Sequence, residues 1–231
     1  MFSAGVPPAV PIEGVIFDLH HTLIDPGEPE LWLESAWRHL RRSGSARDTL
    51  EPSGFRQICD LLDRVWEHAN EVDPENRRDL DPRTHRRVFE QVLSQVPGVD
   101  EELRAALYAT LLDTWRPYDD TLPVLQALQH SCPVAVLSNV GIDVRPVLDR
   151  TGITPLVAGS ALSFEVGAVK PDRAIFIHAL DLIGVAADRA LMVGDSFRDD
   201  AAAAALGIRT LILPRTRSRA HGLGAVIRLV A

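Results

Sequence analysis

The sequence predicts an α/β fold, a doubly wound parallel sheet whose first strand is followed by a long helical insert. Three observations carry this. From Pro117 onward, short apolar runs alternate with helix-spaced segments, the rhythm of βαβ units. A separate apolar run, GVIFD at Gly14–Asp18, stands near the start and ends in a carboxylate, the pattern of a buried parallel strand with a functional tip. Between them, Pro26 to Arg116 mixes polar and apolar residues at helical spacing, with Leu33, Trp37 and Leu40 as one stripe and Leu103, Leu107 and Leu111 as another.

Residues 1–11 hold three prolines and read as an unstructured lead-in. The core is expected from residues 12–25 and 117–231, with residues 26–116 forming the helical insert. GSARD, DPEN and VPGVD break that insert into separate helices. Beyond it, a helix at Thr121–His130 leads to a strand at Pro133–Leu137, and a helix at Val144–Arg150 leads to a weaker strand, LVAGS. A helix at Asp172–Ile183 then precedes a strand ending at Asp195. The alanine-rich helix Asp199–Leu206 stops at Gly207, a residue suited to a left-handed helix end, and Ile208–Leu213 is the last strand.

Composition narrows the function. With 231 residues, 46% apolar and 24% charged, the chain can bury a large core. A net charge of -8 argues against a general nucleic-acid binder, which needs a basic footprint. No apolar stretch approaches the roughly 18 residues of a membrane span, and the N-terminus lacks signal-peptide character, so a cytoplasmic protein with no membrane partner is expected. Cys59 and Cys132 have neither metal-ligand nor disulfide-framework spacing and read as small buried residues. Oligomeric state is not legible. Of the 24 basic residues, Lys170 is the single lysine; a chain that otherwise uses planar guanidinium forks places one compact ammonium there.

Ligands of open parallel sheets bind beyond the carboxyl ends of the strands. Those ends collect Asp18, Ser138 with Asn139, and Asp195 with Asp199 and Asp200, while Lys170 lies in the loop GAVKPD. Carboxylates converging at one edge repel each other unless a cation sits among them, and hard oxygen ligands suit Mg2+. One carboxylate, one hydroxyl, one amine and an acidic pair make a constellation for phosphoryl transfer. The carboxylate attacks, positive charge neutralises the transferring group, and the hydroxyl fixes an oxygen.

The order hhhDxxxT, hhhSN, a lysine before proline, then hhhGDSxxxD resembles the haloacid dehalogenase-like hydrolase superfamily, from about Ile12 to Leu213. The resemblance implies a Rossmann-like core, with residues 26–116 as an α-helical cap of that family's first type. It further implies Asp18 as nucleophile, Thr22 and Ser138 as phosphate-side donors, and Lys170 as the charge holding nucleophile and phosphate together. Asp195 becomes a metal ligand, joined by one or both of Asp199 and Asp200, and Asn139 and His21 fall on the substrate side. The partner is a small phosphorylated molecule.

The first motif departs from that family's phosphatase pattern DxDGT, reading Asp18-Leu19-His20-His21-Thr22. The resemblance implies that a backbone carbonyl at this position serves the metal, which His20 still offers, but the acid/base carboxylate is missing. His20 could replace it, could set specificity for leaving groups that need little protonation, or could mark lost turnover. The leading expectation is a Mg2+-dependent phosphatase working through an aspartyl-phosphate. A metal-independent 2-haloacid dehalogenase and a non-enzymatic binding protein on the same fold are the rivals; retention of Gly194-Asp195 favours metal and phosphate. Trp32, Trp37, Trp66 and Trp115 read as insert core, Arg38, Arg41 and Arg42 as a solvated face, His39, His68, His85, His130 and His178 as surface or half-buried side chains of helices, and RTRSR near the C-terminus as a solvated loop.

Overall fold

A computed structural model describes residues 10–43 and 52–230, with the side chains of 52 and 53 excepted. Most of the expected lead-in, together with the GSARD break, lies outside them. The chain begins with β1 (Gly14–Asp18) and β2 (Ile24–Asp25), then runs through five helices: α1 (Pro29–Arg42), α2 (Pro52–Asp63), α3 (Val65–Val72), α4 (Pro82–Leu93) and α5 (Glu101–Ala109). It returns through β3 (Arg116–Pro117), α6 (Thr121–Gln129), β4 (Val134–Ser138), α7 (Arg145–Arg150), β5 (Gly159–Leu162), α8 (Ser163–Val166) and α9 (Arg173–Ile183). β6 (Ala190–Gly194), β7 (Arg209–Ile212) and α10 (Gly224–Val230) complete it.

The five main strands form one parallel sheet in the order β5-β4-β1-β6-β7. The fold is the expected α/β, doubly wound, Rossmann-like sheet. Side-chain alternation explains its two buried faces. Val15, Phe17, Val134, Val136, Leu191 and Val193 join one apolar cluster. Ile16, Ala135, Leu137, Ala190 and Met192 join another, under α9. Register then sets the site: Asp18 pairs with Leu137 and Phe17 with Val193, so Asp18 comes level with Gly194 and one residue short of Ser138.

The helical insert buries its own cluster, with Leu33, Phe89, Leu103 and Leu107 fully enclosed. Its helices carry local start signals. Proline opens α1, which has Glu30 in its first turn and His39, Arg41 and Arg42 in its last, each matched to the helix dipole. Asp81 and Asp100 cap α4 and α5 by accepting from Thr84 N and Leu103 N at 2.8 and 2.9 Å. The chain enters and leaves the insert through the antiparallel ribbon β2–β3, where Arg116 bonds Asp25 at 2.9 Å. Among the described residues, no helix is long and apolar enough to cross a membrane.

Three elements differ from the sequence reading. LVAGS begins too early: Thr154–Leu156 is a 3-10 turn and the strand runs Gly159–Leu162, because its buried residues are Ala161 and Leu162. The alanine run is a 3-10 helix, Ala201–Leu206, ended by Gly207 at φ +84°. Its start at Asp200 is fixed by side-chain bonds within the site, and the 3-10 rise of about 2.0 Å per residue spans more distance than an α-helix. The short α10 was not read from the sequence. It is held by Asp120, whose carboxylate accepts from the N–H groups of His221, Gly222 and Leu223 at 2.9, 2.7 and 2.8 Å.

Candidate active site

Asp18 ends β1 with only 5% of its surface exposed. Thr22 Oγ1 donates to its Oδ2 at 3.0 Å, and Lys170 Nζ donates to its Oδ1 at 2.6 Å. The same ammonium donates to Asp200 Oδ1 at 2.7 Å, and Ser196 N donates to Asp200 Oδ2 at 2.9 Å. Lys170 itself is 3% exposed and Asp200 fully buried. Gly194 permits this closeness, since a Cβ there would lie 2.1 Å from Asp200 Oδ2. Asn139 positions Lys170 by gripping its backbone at both ends: its Nδ2 donates to Lys170 O at 3.0 Å and its Oδ1 accepts from Lys170 N at 2.7 Å. The amide placed on the substrate side by resemblance is thus committed to the lysine loop.

Asp18, Asp195 and Asp200 each turn one carboxylate oxygen to a common point, all within 4.8 Å of one another. Asp199 stands apart, accepting from Ser196 Oγ at 3.0 Å. Three buried carboxylates thus face one ammonium and the Arg215 guanidinium, whose Nε donates to Asp195. One negative charge is left over. Burial pushes the Asp18 carboxyl up to about 7; Lys170 opposes this, while Asp200 and Asp195 reinforce it. Burial would also strip the Lys170 proton, but Asp18 and Asp200 outweigh it and hold the ammonium above its ordinary range. A hard divalent cation among the three oxygens would offset both the excess charge and the burial penalty, so the donor set fits Mg2+.

Above this floor lies a cleft of about 580 Å³ between the sheet edge and the insert. Its walls include His20, His21 and Ser138 from the expected set, with Trp66 and His85 from the insert, and Trp115 and Arg215. The His20 ring packs 4.9 Å from Trp115 and 4.1 Å from His21. Burial, His21 and Arg215 hold its pKa well below 6.5, so the ring is a neutral imidazole at pH 7. His21 has a left-handed backbone, φ 64°, and burial together with Arg215 pushes it down to about 4. Of the four tryptophans, Trp32 and Trp37 are insert core as expected, whereas Trp66 and Trp115 face the cleft. Arg38, Arg41 and Arg42 are exposed and off the cleft.

Sequence reasoning missed Arg215 and His85. RTRSR is exposed, yet each of its arginines is paired: Arg215 with Asp195, Arg217 with Asp63 of the insert, and Arg219 with Asp119. The strand-tip rule applied to β7 would have reached Arg215, which follows that strand by three residues. His85 gave no signal in a helical pattern. It is buried, its Nδ1 lies 3.0 Å from Tyr108 Oη, and burial and Arg78 push it down to about 4.

Residues 12–207 match the description of the haloacid dehalogenase-like hydrolases. The chain belongs to that family. Among curated proteins it is similar to the glyceraldehyde 3-phosphate phosphatase of Methanopyrus kandleri, 28% identical over 198 residues, 82% of this chain and 78% of the relative. Among solved structures it resembles a 2-haloacid dehalogenase from Pseudomonas syringae pv. Tomato, with TM-score 0.62, 23% identity, and coverage of 95% of this chain and 98% of that one. It also resembles a phosphatase of the same family from Thermococcus onnurineus, with TM-score 0.59, 18% identity, and coverage of 95% and 98%. These two likenesses establish the fold. This haloacid dehalogenase-like hydrolase carries a cluster of three aspartates around one buried lysine.

Proposed function

We propose that this hydrolase is a Mg2+-dependent phosphatase of small phosphorylated molecules, with Asp18 as nucleophile and the helical insert as its cap. The observation that carries the reading is the three-carboxylate cluster closed around Lys170, because its excess negative charge calls for a cation and then accepts an anionic substrate. The phosphatase activity of the Methanopyrus relative supports it. When bound, Mg2+ would be held by Asp18, Asp195, Asp200 and the His20 backbone carbonyl, and it would supply charge neutralisation for the phosphoryl oxygens.

A carboxylate oxygen of Asp18 attacks phosphorus, the bond from phosphorus to the leaving oxygen breaks, and an aspartyl-phosphate forms. Lys170 offsets the charge shared by carboxylate and phosphoryl group. The buried Ser138 hydroxyl, at the adjacent strand tip, fixes one phosphoryl oxygen. Water then attacks the aspartyl-phosphate, releasing phosphate and restoring the carboxylate. His20, held as a neutral ring, carries no imidazolium proton to give the leaving oxygen at pH 7, and the proton shed by the attacking water leaves with the phosphate. Leaving groups that depart without a proton, such as the carboxylate of an acyl phosphate, therefore fit best.

The test is Asp18→Asn, assayed with acetyl phosphate and p-nitrophenyl phosphate in Mg2+, with circular dichroism as the check on folding. Turnover should vanish while the fold persists, because the near-isosteric amide is not a nucleophile. Near-native turnover in a folded Asp18→Asn protein would overturn the mechanism.

A further inference from the structure

The far wall of the cleft carries information about the rest of the substrate. Arg78, on the insert, is the one deeply buried guanidinium lining it among the described residues. Its charge is matched by its neighbours, although its buried Nε has no hydrogen-bond partner among the described residues. Nη2 donates to Asn70 Oδ1 at 2.6 Å, Nη1 donates to Asp73 O at 3.2 Å, and Asp73 and Asp79 carboxylate oxygens lie 3.6 and 3.7 Å away. Within this cluster one guanidinium faces two carboxylates, Asp79 on the cleft wall and Asp73 behind it, which leaves a local negative excess, while Arg64 and Arg198 on the same cleft are exposed to solvent.

Asp79 stands on the insert side of the cleft. It lines the wall, and its carboxyl lies within electrostatic reach of Lys170 and Asp199. Burial pushes it up to about 6, which leaves it ionised at pH 8. His85 adds no positive charge, being held neutral. Its Nδ1 is engaged by Tyr108, while its other ring nitrogen has no partner among the described residues and is left for a ligand hydroxyl.

This wall is locked onto the core beside Ser138. A Cβ on Gly141 would meet Arg78 O at 1.9 Å and His85 Cβ at 2.9 Å. Ser163 Oγ accepts from Val140 N at 2.8 Å and donates to Asp79 O at 2.6 Å. Asp79 and His85 are therefore fixed relative to the phosphoryl site rather than carried on a loose arm.

We infer that Asp79 and His85 form a specificity subsite that selects phosphorylated molecules whose distal end is uncharged and hydroxyl-bearing, and that rejects those ending in a carboxylate. The inference rests on the phosphatase reading and deepens it.

Glycerol 3-phosphate and 3-phosphoglycerate test this directly, because they share the phosphorylated carbon and differ only in CH2OH against COO- at the far end. Their competitive inhibition constants are measured against hydrolysis of acetyl phosphate in Mg2+ at pH 8, so neither needs to be turned over. Glycerol 3-phosphate should bind about tenfold more tightly, the scale of one like-charge contact at intermediate dielectric. In Asp79→Asn that ratio should fall towards one through a gain in 3-phosphoglycerate affinity, a change that structural damage does not produce. In His85→Phe, glycerol 3-phosphate should weaken while 3-phosphoglycerate barely moves. A preference for 3-phosphoglycerate in the unaltered enzyme, or an unchanged ratio in Asp79→Asn, overturns the subsite while the phosphatase reading stands. Failure to release phosphate from acetyl phosphate at all overturns both.

Discussion

Lys170→Met removes the charge on which the active-site floor depends. Nζ lies 2.6 Å from Asp18 and 2.7 Å from Asp200, with the lysine 3% exposed and Asp200 fully buried. Methionine fills similar volume but leaves two buried carboxylates facing each other without a counter-ion. Breaking a buried pair by removing one partner costs about 3–5 kcal/mol, and little of that is screened by solvent at this burial. At about 2–4 °C per kcal/mol for a chain of this size, the melting temperature should fall by about 6–20 °C. The loss should also depend on pH. The Asp18 carboxyl is raised to about 7 in the folded protein against about 3.9 when unfolded. Between those values the folded state holds a proton that the unfolded chain has released, so stability falls as pH rises through that window. Without Lys170 the folded pKa climbs further and the window extends above 7. Urea unfolding at pH 5 and pH 8 should therefore show a larger penalty for Lys170→Met at pH 8. Equal penalties at the two pH values, or a variant as stable as the parent, would refute the electrostatic argument.

Lys170→Arg should also abolish most turnover, since the wider guanidinium fork does not fit between two carboxylate oxygens at these distances; wild-type kinetics would reduce the single lysine to coincidence. Asp195→Asn should weaken Mg2+ binding measured by titration calorimetry. In the unaltered chain that affinity should drop by up to about tenfold per pH unit below 7, as Asp18 must first shed its proton, and full activity in excess chelator would contradict the cation requirement. Gly141→Ala places a methyl 1.9 Å from Arg78 O, so about 1–3 kcal/mol of overpacking and a raised KM are expected, read from urea midpoints and acetyl phosphate kinetics. His20→Asp should accelerate alkyl phosphate hydrolysis by as much as about 10² to 10⁴ while moving acetyl phosphate little; equal effects on both would assign His20 a positioning role.

What the sequence made legible follows the range of the interactions involved. Asp18, Ser138 and Gly194-Asp195 each close a short buried apolar run, and parallel register alone brings such ends together, so their convergence needed no knowledge of side-chain packing. Lys170 stood out by composition. The choice of Asp200 over Asp199 in the triad depended instead on loop closure: Ser196 N holds Asp200 in the cluster while Ser196 Oγ holds Asp199 on the cleft wall, a division that two adjacent aspartates in a sequence do not reveal. Arg217 reaches Asp63 across 154 residues, and Gly141 meets Arg78 only because the insert folds back over the core. His85 differs from His39 and His68 solely in what its helix face meets. The cleft's chemistry was therefore divided between two kinds of information. The phosphoryl end is written in local patterns at strand ends, whereas the distal end is written in contacts between insert and core, where a buried arginine is neutralised by its own neighbours before any ligand arrives.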